Sequence, residues 1–256
     1  MMVYLKPSRY FSAGVWLPEV RRLPDSENRV ALSFDDGPAP ETTAKILELL
    51  TVHHATATFF LNGVRAAEHP HLVQAIVHAG HDVYSHGWNH VHYDKLGPDQ
   101  LIQDLDRCEA YLGRFRPTPS PYLVRLPYTA GHRCAWAHRA LRSWNSNVQL
   151  VHYSVTLNDW SLHEDCETYG DVVKKAQRTL ARLRVDKLPG RIILLHEMAF
   201  DAPGPQNATV GPVLLREMLR LFSIRGLRAV KVIPLSRQSI ISRYFLGPRS
   251  KIVVTA

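Results

Sequence analysis

Cysteine is scarce in this chain of 256 residues: there are three, Cys108, Cys134 and Cys166. Their spacing fits neither a CxxC zinc or redox pair nor a disulfide framework, so reduced thiols used mostly in packing are expected. Long apolar runs are missing too. Nothing reaches the length of a membrane span, and the opening MMVYLKPSRYFSAGVWLPEVRR has no signal-peptide core. No transmembrane segment is therefore expected, and the expected location is cytoplasmic, or secreted if a leader has been trimmed. No repeat or low-complexity tract is visible, which excludes a solenoid or fibrous array. Basic patches interleaved with aromatics, as in RRM or OB modules, are absent, so no nucleic-acid partner is expected. Acidic residues are the minority charge, 23 against 31 Lys and Arg, a net +8. That excess would suit a polyanionic surface, but it is also a generic solubility feature, and the blander reading is preferred. Lys174, Arg178 and Arg182, four apart on a predicted helix, are read in the same way, as a solvated face beside the stripe Val172, Val173, Ala176, Leu180 and Leu183.

What is present is ordinary in amount and ordered in arrangement. Apolar residues make up 45% and charged residues 21%, which suits one globular domain of the size of an α/β barrel. Residues 1–28 carry Pro7, Pro18 and Pro24 without a clear period and are read as an irregular N-terminal lead-in. Strand and helix patterns then alternate. Strands are expected over 29–34, 56–61, 82–85, 122–125, 148–155, 191–195 and 227–233. Helices are expected over 41–53, 70–78, 98–115, 135–144, 169–183 and 213–224, with Pro98 opening one and Gly80 stopping another. The fold class is thus α/β, with about seven parallel strands. Residues 29–235 form the expected catalytic domain, and 236–256 a basic C-terminal tail carrying Arg237, Arg243, Arg249 and Lys251.

Five short motifs fall at the C-terminal ends of predicted strands or just beyond: SFDDGP (33–38), HGWNH (86–90), RLPY (125–128), NDW (158–160) and LLHE (194–197). In a closed parallel barrel these ends meet on one face, where such barrels keep their chemistry. His86 and His90 are four apart, a spacing that on a helical turn lets two imidazoles share a divalent metal. With fourteen histidines in the chain, the pair alone would more often be surface or core residues. Asp35 and Asp36 change the weighing. Two carboxylates after a buried strand are costly unless a cation is near. On extended backbone their side chains point opposite ways, which suggests separate jobs. One can complete a two-histidine, one-carboxylate metal set, and the other can act as general base. The alternative, an aspartate capping the next helix, accounts for one of them but poorly for both.

In these motifs, in this order, the chain resembles the polysaccharide deacetylases of carbohydrate esterase family 4, which include the nodulation-type chitooligosaccharide deacetylases. The similarity spans about residues 29 to 235. It implies a distorted (β/α) barrel that removes acetyl groups from chitin-like, peptidoglycan or xylan polymers. It implies Asp35 as general base and Asp36, His86 and His90 as ligands of one divalent metal, zinc first, with cobalt, nickel or manganese as further fits. Arg125 would hold the base and Asp159 would tune the catalytic acid, His196. The backbone N–H of Tyr128 would bind the oxyanion, and Trp160 and Leu194 would wall the acetyl pocket. Amide cleavage needs a proton delivered to the leaving nitrogen, and a carboxylate beside His196 would keep that histidine charged.

Two tryptophans are ambiguous. Trp160 reads as core by itself, and Trp88, between the metal histidines, is either a sugar-stacking platform or a packing residue. The chain departs from the family at Gly87, where Ser or Thr is usual, at Thr156, where Asp is usual, and at Glu197, where Asp is usual. None of these is an expected ligand, base or acid. The loop 198–211 is expected to rim the site. The expected activity is hydrolysis of N-acetyl groups on N-acetylglucosamine polymers or oligomers. The alternatives are an O-acetyl esterase on a polysaccharide such as xylan and a carbohydrate-binding pseudoenzyme. The sequence leaves the oligomeric state open.

Overall fold

A computed structural model describes residues 16–24, 27–116, 122–198, 204 and 206–236. The basic tail and most of the lead-in lie outside the described residues, as does much of the 198–211 loop. Among the described residues nine strands form one sheet: β1 (Glu19–Val20), β2 (Arg29–Asp35), β3 (Thr58–Leu61), β4 (Asp82–Ser85), β5 (Tyr122–Val124), β6 (Val148–Val151), β7 (Val155–Thr156), β8 (Ile192–His196) and β9 (Arg228–Val230). Eight follow one path, β1-β6-β5-β4-β3-β2-β8-β7, and β9 pairs with the first half of β2. Every named pairing is parallel. The sheet curls into a distorted half-barrel. Its open side is bridged where Arg22 meets Arg191 in an antiparallel contact and the Leu23 N–H bonds the Gly190 carbonyl.

The count exceeds the expected seven for two physical reasons. The stretch read as one strand over 148–155 breaks at residues 152–154 into β6 and β7. The stretch read as irregular contains β1, whose Val20 carbonyl accepts from the His152 N–H across that same break. Seven α-helices among the described residues clothe the outside: α1 (Thr43–Val52), α2 (Gly63–Glu68), α3 (Pro70–His78), α4 (Pro98–Leu112), α5 (Ala135–Trp144), α6 (Tyr169–Ala181) and α7 (Asn207–Arg225). The sequence reading missed the short α2, and it began α7 at 213 and gave 198–211 to a loop; the helix accommodates Pro212 and starts at Asn207. None of the described helices is long and apolar enough to cross a membrane. The three cysteines are free thiols, with Cys108 and Cys166 buried.

Strand alternation sorts the side chains. On β2, Val30, Leu32 and Phe34 face outward into the main apolar layer beneath the helices, while Ala31 faces inward to a smaller cluster with Phe60, Tyr84, Leu123 and Ile192. The inward series continues past apolar residues to polar ones at the C-terminal ends: Ala31, Ser33 and Asp35 on β2, Leu123 and then Arg125 after β5, Ile192, Leu194 and His196 on β8. One period of two thus supplies both a dry base and a polar mouth.

Candidate active site

Register brings the first two groups together: Asp35 on β2 pairs directly with His196 on β8. Arg125 follows β5 into the barrel, where it is almost wholly buried. Its guanidinium donates to Asp35 Oδ1 at 2.7 Å and to Ser33 Oγ at 2.9 Å, and it lies 4.3 Å over the Phe60 ring. One carboxylate oxygen of Asp35 is therefore tied down. The other, Oδ2, is 3.6 Å from His86 Nε2.

Asp36 does not continue the strand. Its φ is +72°, a left-handed conformation that aspartate tolerates better than most residues. This corrects the extended-backbone premise that the two carboxylates diverge. The kink swings Asp36 back, so that its Oδ1 lies 3.5 Å from His86 Nε2 and 3.0 Å from His90 Nε2. Asp36, His86 and His90 are all buried, and their ligand atoms lie within 4.8 Å of one another.

The chemistry of these donors fits a cation. Burial acts to raise Asp36, but the His90 hydrogen bond and the attraction of the charged His196 are among the effects that outweigh it and bring the group down to about 2, so it is anionic. Burial pushes His86 below the usual imidazole value despite the neighbouring carboxylates. A neutral imidazole has a lone pair to give. The His86 Nδ1 lies 2.8 Å from the Arg125 carbonyl, so Nδ1 carries the proton and Nε2 presents the lone pair to the carboxylates. Such a second partner is what a metal-binding histidine commonly has. A lone pair facing two carboxylate oxygens with no positive charge between them would be repulsive.

Across the mouth, Asp159 commits both oxygens to one residue. Oδ1 is 2.8 Å from His196 Nδ1, and Oδ2 accepts the His196 backbone N–H at 2.6 Å. Burial disfavours charge on His196, yet Asp159, aided by Asp36 and Asp35, raises it to about 9. Thr156, where aspartate is usual in the family, accepts the Asn158 N–H at 3.2 Å and so supports the left-handed Asn158 that aims Asp159.

The remaining candidates divide. Trp160, read alone as core, is 39% exposed and stands edge-on to His196 at 5.6 Å. Leu194, two residues before His196, shares its inward face and is buried. Tyr128 has a φ of +54°, is exposed, and packs 4.6 Å from the His90 ring while stacking on His92 at 3.9 Å. Trp88 is not brought to the mouth. Its indole lies over Gly63, where even a Cβ would come within 2.5 Å of the ring, and packs on Tyr111 and under the Arg107 guanidinium. The sugar-platform reading of Trp88 is corrected: local packing claims the ring. Ser33, Phe60 and His92 were missed, because their roles arise only from strand pairing and loop return.

A buried triad of two imidazoles and a carboxylate, an adjacent carboxylate clamped by arginine, and a histidine charged by a second aspartate are the groups that hydrolysis of an acyl group at a divalent metal calls for. Comparison with known proteins gives the family. Residues 22–145 match the polysaccharide deacetylase domain family. The chain is 32% identical over 169 residues to the chitooligosaccharide deacetylase of Sinorhizobium fredii, covering 66% of this chain and 71% of that one. It is 34% identical over 139 residues to the peptidoglycan-N-acetylglucosamine deacetylase of Bacillus cereus, covering 54% of this chain and 48% of that one. The crystal structure of a peptidoglycan N-acetylglucosamine deacetylase in complex with a hydroxamate-type benzamide superposes with a TM-score of 0.66 at 26% identity, over 84% of this chain and 91% of that one. The chain belongs to the polysaccharide deacetylases of carbohydrate esterase family 4, and metal dependence is a trait of that family.

Proposed function

We propose that this protein hydrolyses N-acetyl groups of N-acetylglucosamine-containing poly- or oligosaccharides, of the chitooligosaccharide or peptidoglycan kind, with zinc held by Asp36, His86 and His90. Its similarity to deacetylases of both kinds supports the substrate class, and a His₂Asp donor set suits zinc. Bound there, the cation would polarise the acetyl carbonyl and lower the pKa of water at the site.

The chain's own groups complete the reaction. Asp35 Oδ2 takes the proton of the attacking water while Arg125 fixes Oδ1. Water oxygen bonds to the acetyl carbon, and the Tyr128 backbone N–H supports the charge on the former carbonyl oxygen. The carbon–nitrogen bond then breaks. Nitrogen leaves as an amine because His196 hands it a proton from Nε2, with Nδ1 held by Asp159. Acetate is the other product. Trp160 and Leu194 wall the space for the acetyl methyl.

The observation that carries amide over ester cleavage is the strongly charged His196. An alkoxide leaves with less help, so an O-acetyl esterase would have less need of an acid kept protonated to about pH 9. The pseudoenzyme reading is disfavoured because the base, the acid and all three ligands converge on one mouth. Acetate release from chitooligosaccharides should exceed that from acetylated xylan and should collapse in Asp35→Asn. Reaction with xylan alone would overturn the amide reading, and full activity in Asp35→Asn would overturn the base.

A further inference from the structure

The turn joining the two metal-triad histidines runs through Gly87, Trp88 and Asn89, and it is gripped from two sides. On one side the start of α2 donates: the Gly63 and Val64 N–H groups and Asn62 Nδ2 bond the carbonyls of Gly87 and Trp88 at 2.9, 3.2 and 3.0 Å. On the other side Asp104 of α4 accepts. Its carboxylate takes the Trp88 N–H at 2.7 Å, the Asn89 N–H at 3.2 Å, Asn89 Nδ2 at 3.1 Å and the Tyr93 hydroxyl at 2.5 Å. Asp104 is buried, and these four donors all belong to residues 88–93. A buried carboxylate so completely satisfied holds its partners in one geometry.

Gly87 is what links this grip to the metal. It has a φ of +80° and no side chain of its own to steady the turn; a Cβ added there would lie 2.4 Å from the Tyr93 hydroxyl and 3.1 Å from Asp104 Oδ2. The tyrosine oxygen occupies the volume that a side chain at 87 would need. Burial and the Asp104 charge raise Tyr93 well above the ordinary phenol value, so its hydroxyl keeps its proton and donates.

We infer that Tyr93 and Asp104 are positioning residues that set the affinity of the metal site, the Tyr93 hydroxyl bracing from outside a turn that Gly87 cannot brace from within. The inference rests on the reading of Asp36, His86 and His90 as the metal ligands. His86 and His90 lie at the two ends of this turn, so loosening it moves both imidazoles relative to Asp36. Outer partners of metal ligands typically change affinity by about 10- to 100-fold.

The test is competition of each purified protein with a fluorescent chelator for zinc alone. Tyr93→Phe removes one oxygen and should weaken zinc binding by about 10-fold, and Asp104→Asn by about 10- to 100-fold. Tyr122→Phe is the control. Tyr122 sits in the same apolar cluster as Tyr93, and its hydroxyl bonds the Glu109 carboxylate, away from the turn. It should lower the melting temperature while leaving zinc affinity unchanged. The inference fails if Tyr93→Phe and Asp104→Asn bind zinc within about threefold of the parent, or if Tyr122→Phe weakens zinc as much as Tyr93→Phe does. Should Asp104→Asn not fold, the Tyr93→Phe and Tyr122→Phe pair decides alone. A parent protein that binds no zinc would instead sink the metal-centre reading, and this inference with it.

Discussion

Asp35 and Asp36 are adjacent in the chain, and both face one imidazole nitrogen: Asp35 Oδ2 at 3.6 Å and Asp36 Oδ1 at 3.5 Å from His86 Nε2. Neighbours on a strand should point apart. They converge because β2 ends at Asp35 and Asp36 turns left-handed. Only one of the two is clamped by arginine. Under the proposed function this asymmetry separates a held base from a ligand within a single dipeptide.

Arg125 is paired with Asp35 and His196 with Asp159, which leaves Asp36, facing the neutral His86, as the excess negative charge of the metal-free site. Zinc should therefore stabilise the protein, by about 2.7 kcal/mol at a free concentration one hundred times its dissociation constant, and a chelator should reverse the gain. Differential scanning fluorimetry across a zinc series measures this. Asp36→Asn should abolish most of the zinc-dependent rise in melting temperature. An undiminished rise in that variant would place the ion elsewhere.

The Arg125–Asp35 pair is nearly inaccessible to water on both sides. Breaking such a pair leaves one charge buried alone, at a cost of about 3–5 kcal/mol. Arg125→Met should lose about that much unfolding free energy in urea, and activity with it. Adding Asp35→Asn should recover part of the stability but none of the activity, because the stranded charge is gone and so is the base. If the double variant is no more stable than Arg125→Met, the stranded Asp35 charge is not what the single variant suffers from.

Much of this site was legible in the sequence because its donors follow strands. Motifs placed after predicted strands had to meet at one barrel mouth, and period-two alternation carried Asp35, Leu194 and His196 to the inner face. Contacts between remote segments were not legible. Trp160 reads like core, yet its short helical turn follows the left-handed Asn158 and leaves the ring exposed against His196. Trp88 sits between two metal histidines, yet Gly63 and Arg107 draw it away. No local pattern shows that Tyr93 fills the space beside Gly87, or that residues 152–154 break a strand whose flank is covered by the lead-in.

His196 sets the alkaline limit. Its pKa is raised from the usual 6.5 to about 9, so the folded state binds its proton more tightly than the unfolded chain does. The stabilisation is complete below about pH 6.5 and fades as pH rises through about 9. As the proposed general acid it should lose function over that same rise. In NMR titration of the metal-free protein the His196 imidazole should titrate near pH 9. Asp159→Asn removes the main attraction while burial remains, so the midpoint should fall to 6.5 or lower and the alkaline limb of kcat/KM should move down with it. A midpoint unmoved by Asp159→Asn would show that the aspartate does not govern the acid.

The extra methylene of Glu197 relative to aspartate has to go somewhere. The side chain is fully buried beneath the Asp36–Gly37 turn, bonded to the Thr43 hydroxyl. A Cβ on Gly37 would lie 1.7 Å from Glu197 Oε1, so glycine at 37 is required by the glutamate at 197. Gly37→Ala should therefore displace Asp36 and lose zinc binding together with stability. Glu197→Asp shortens the side chain and should restore both in part when combined with Gly37→Ala. Burial also raises Glu197 to about 7 from 4.5, partly opposed by Thr43. The folded state thus prefers the neutral acid, and stability should decline from about pH 4.5 to about pH 7 and be flat above, a slope that Glu197→Gln removes. Urea denaturation at several pH values, with the zinc titration of the double variant beside it, reads both effects. If Gly37→Ala is equally damaging with aspartate at 197, the steric pairing of the two residues is wrong.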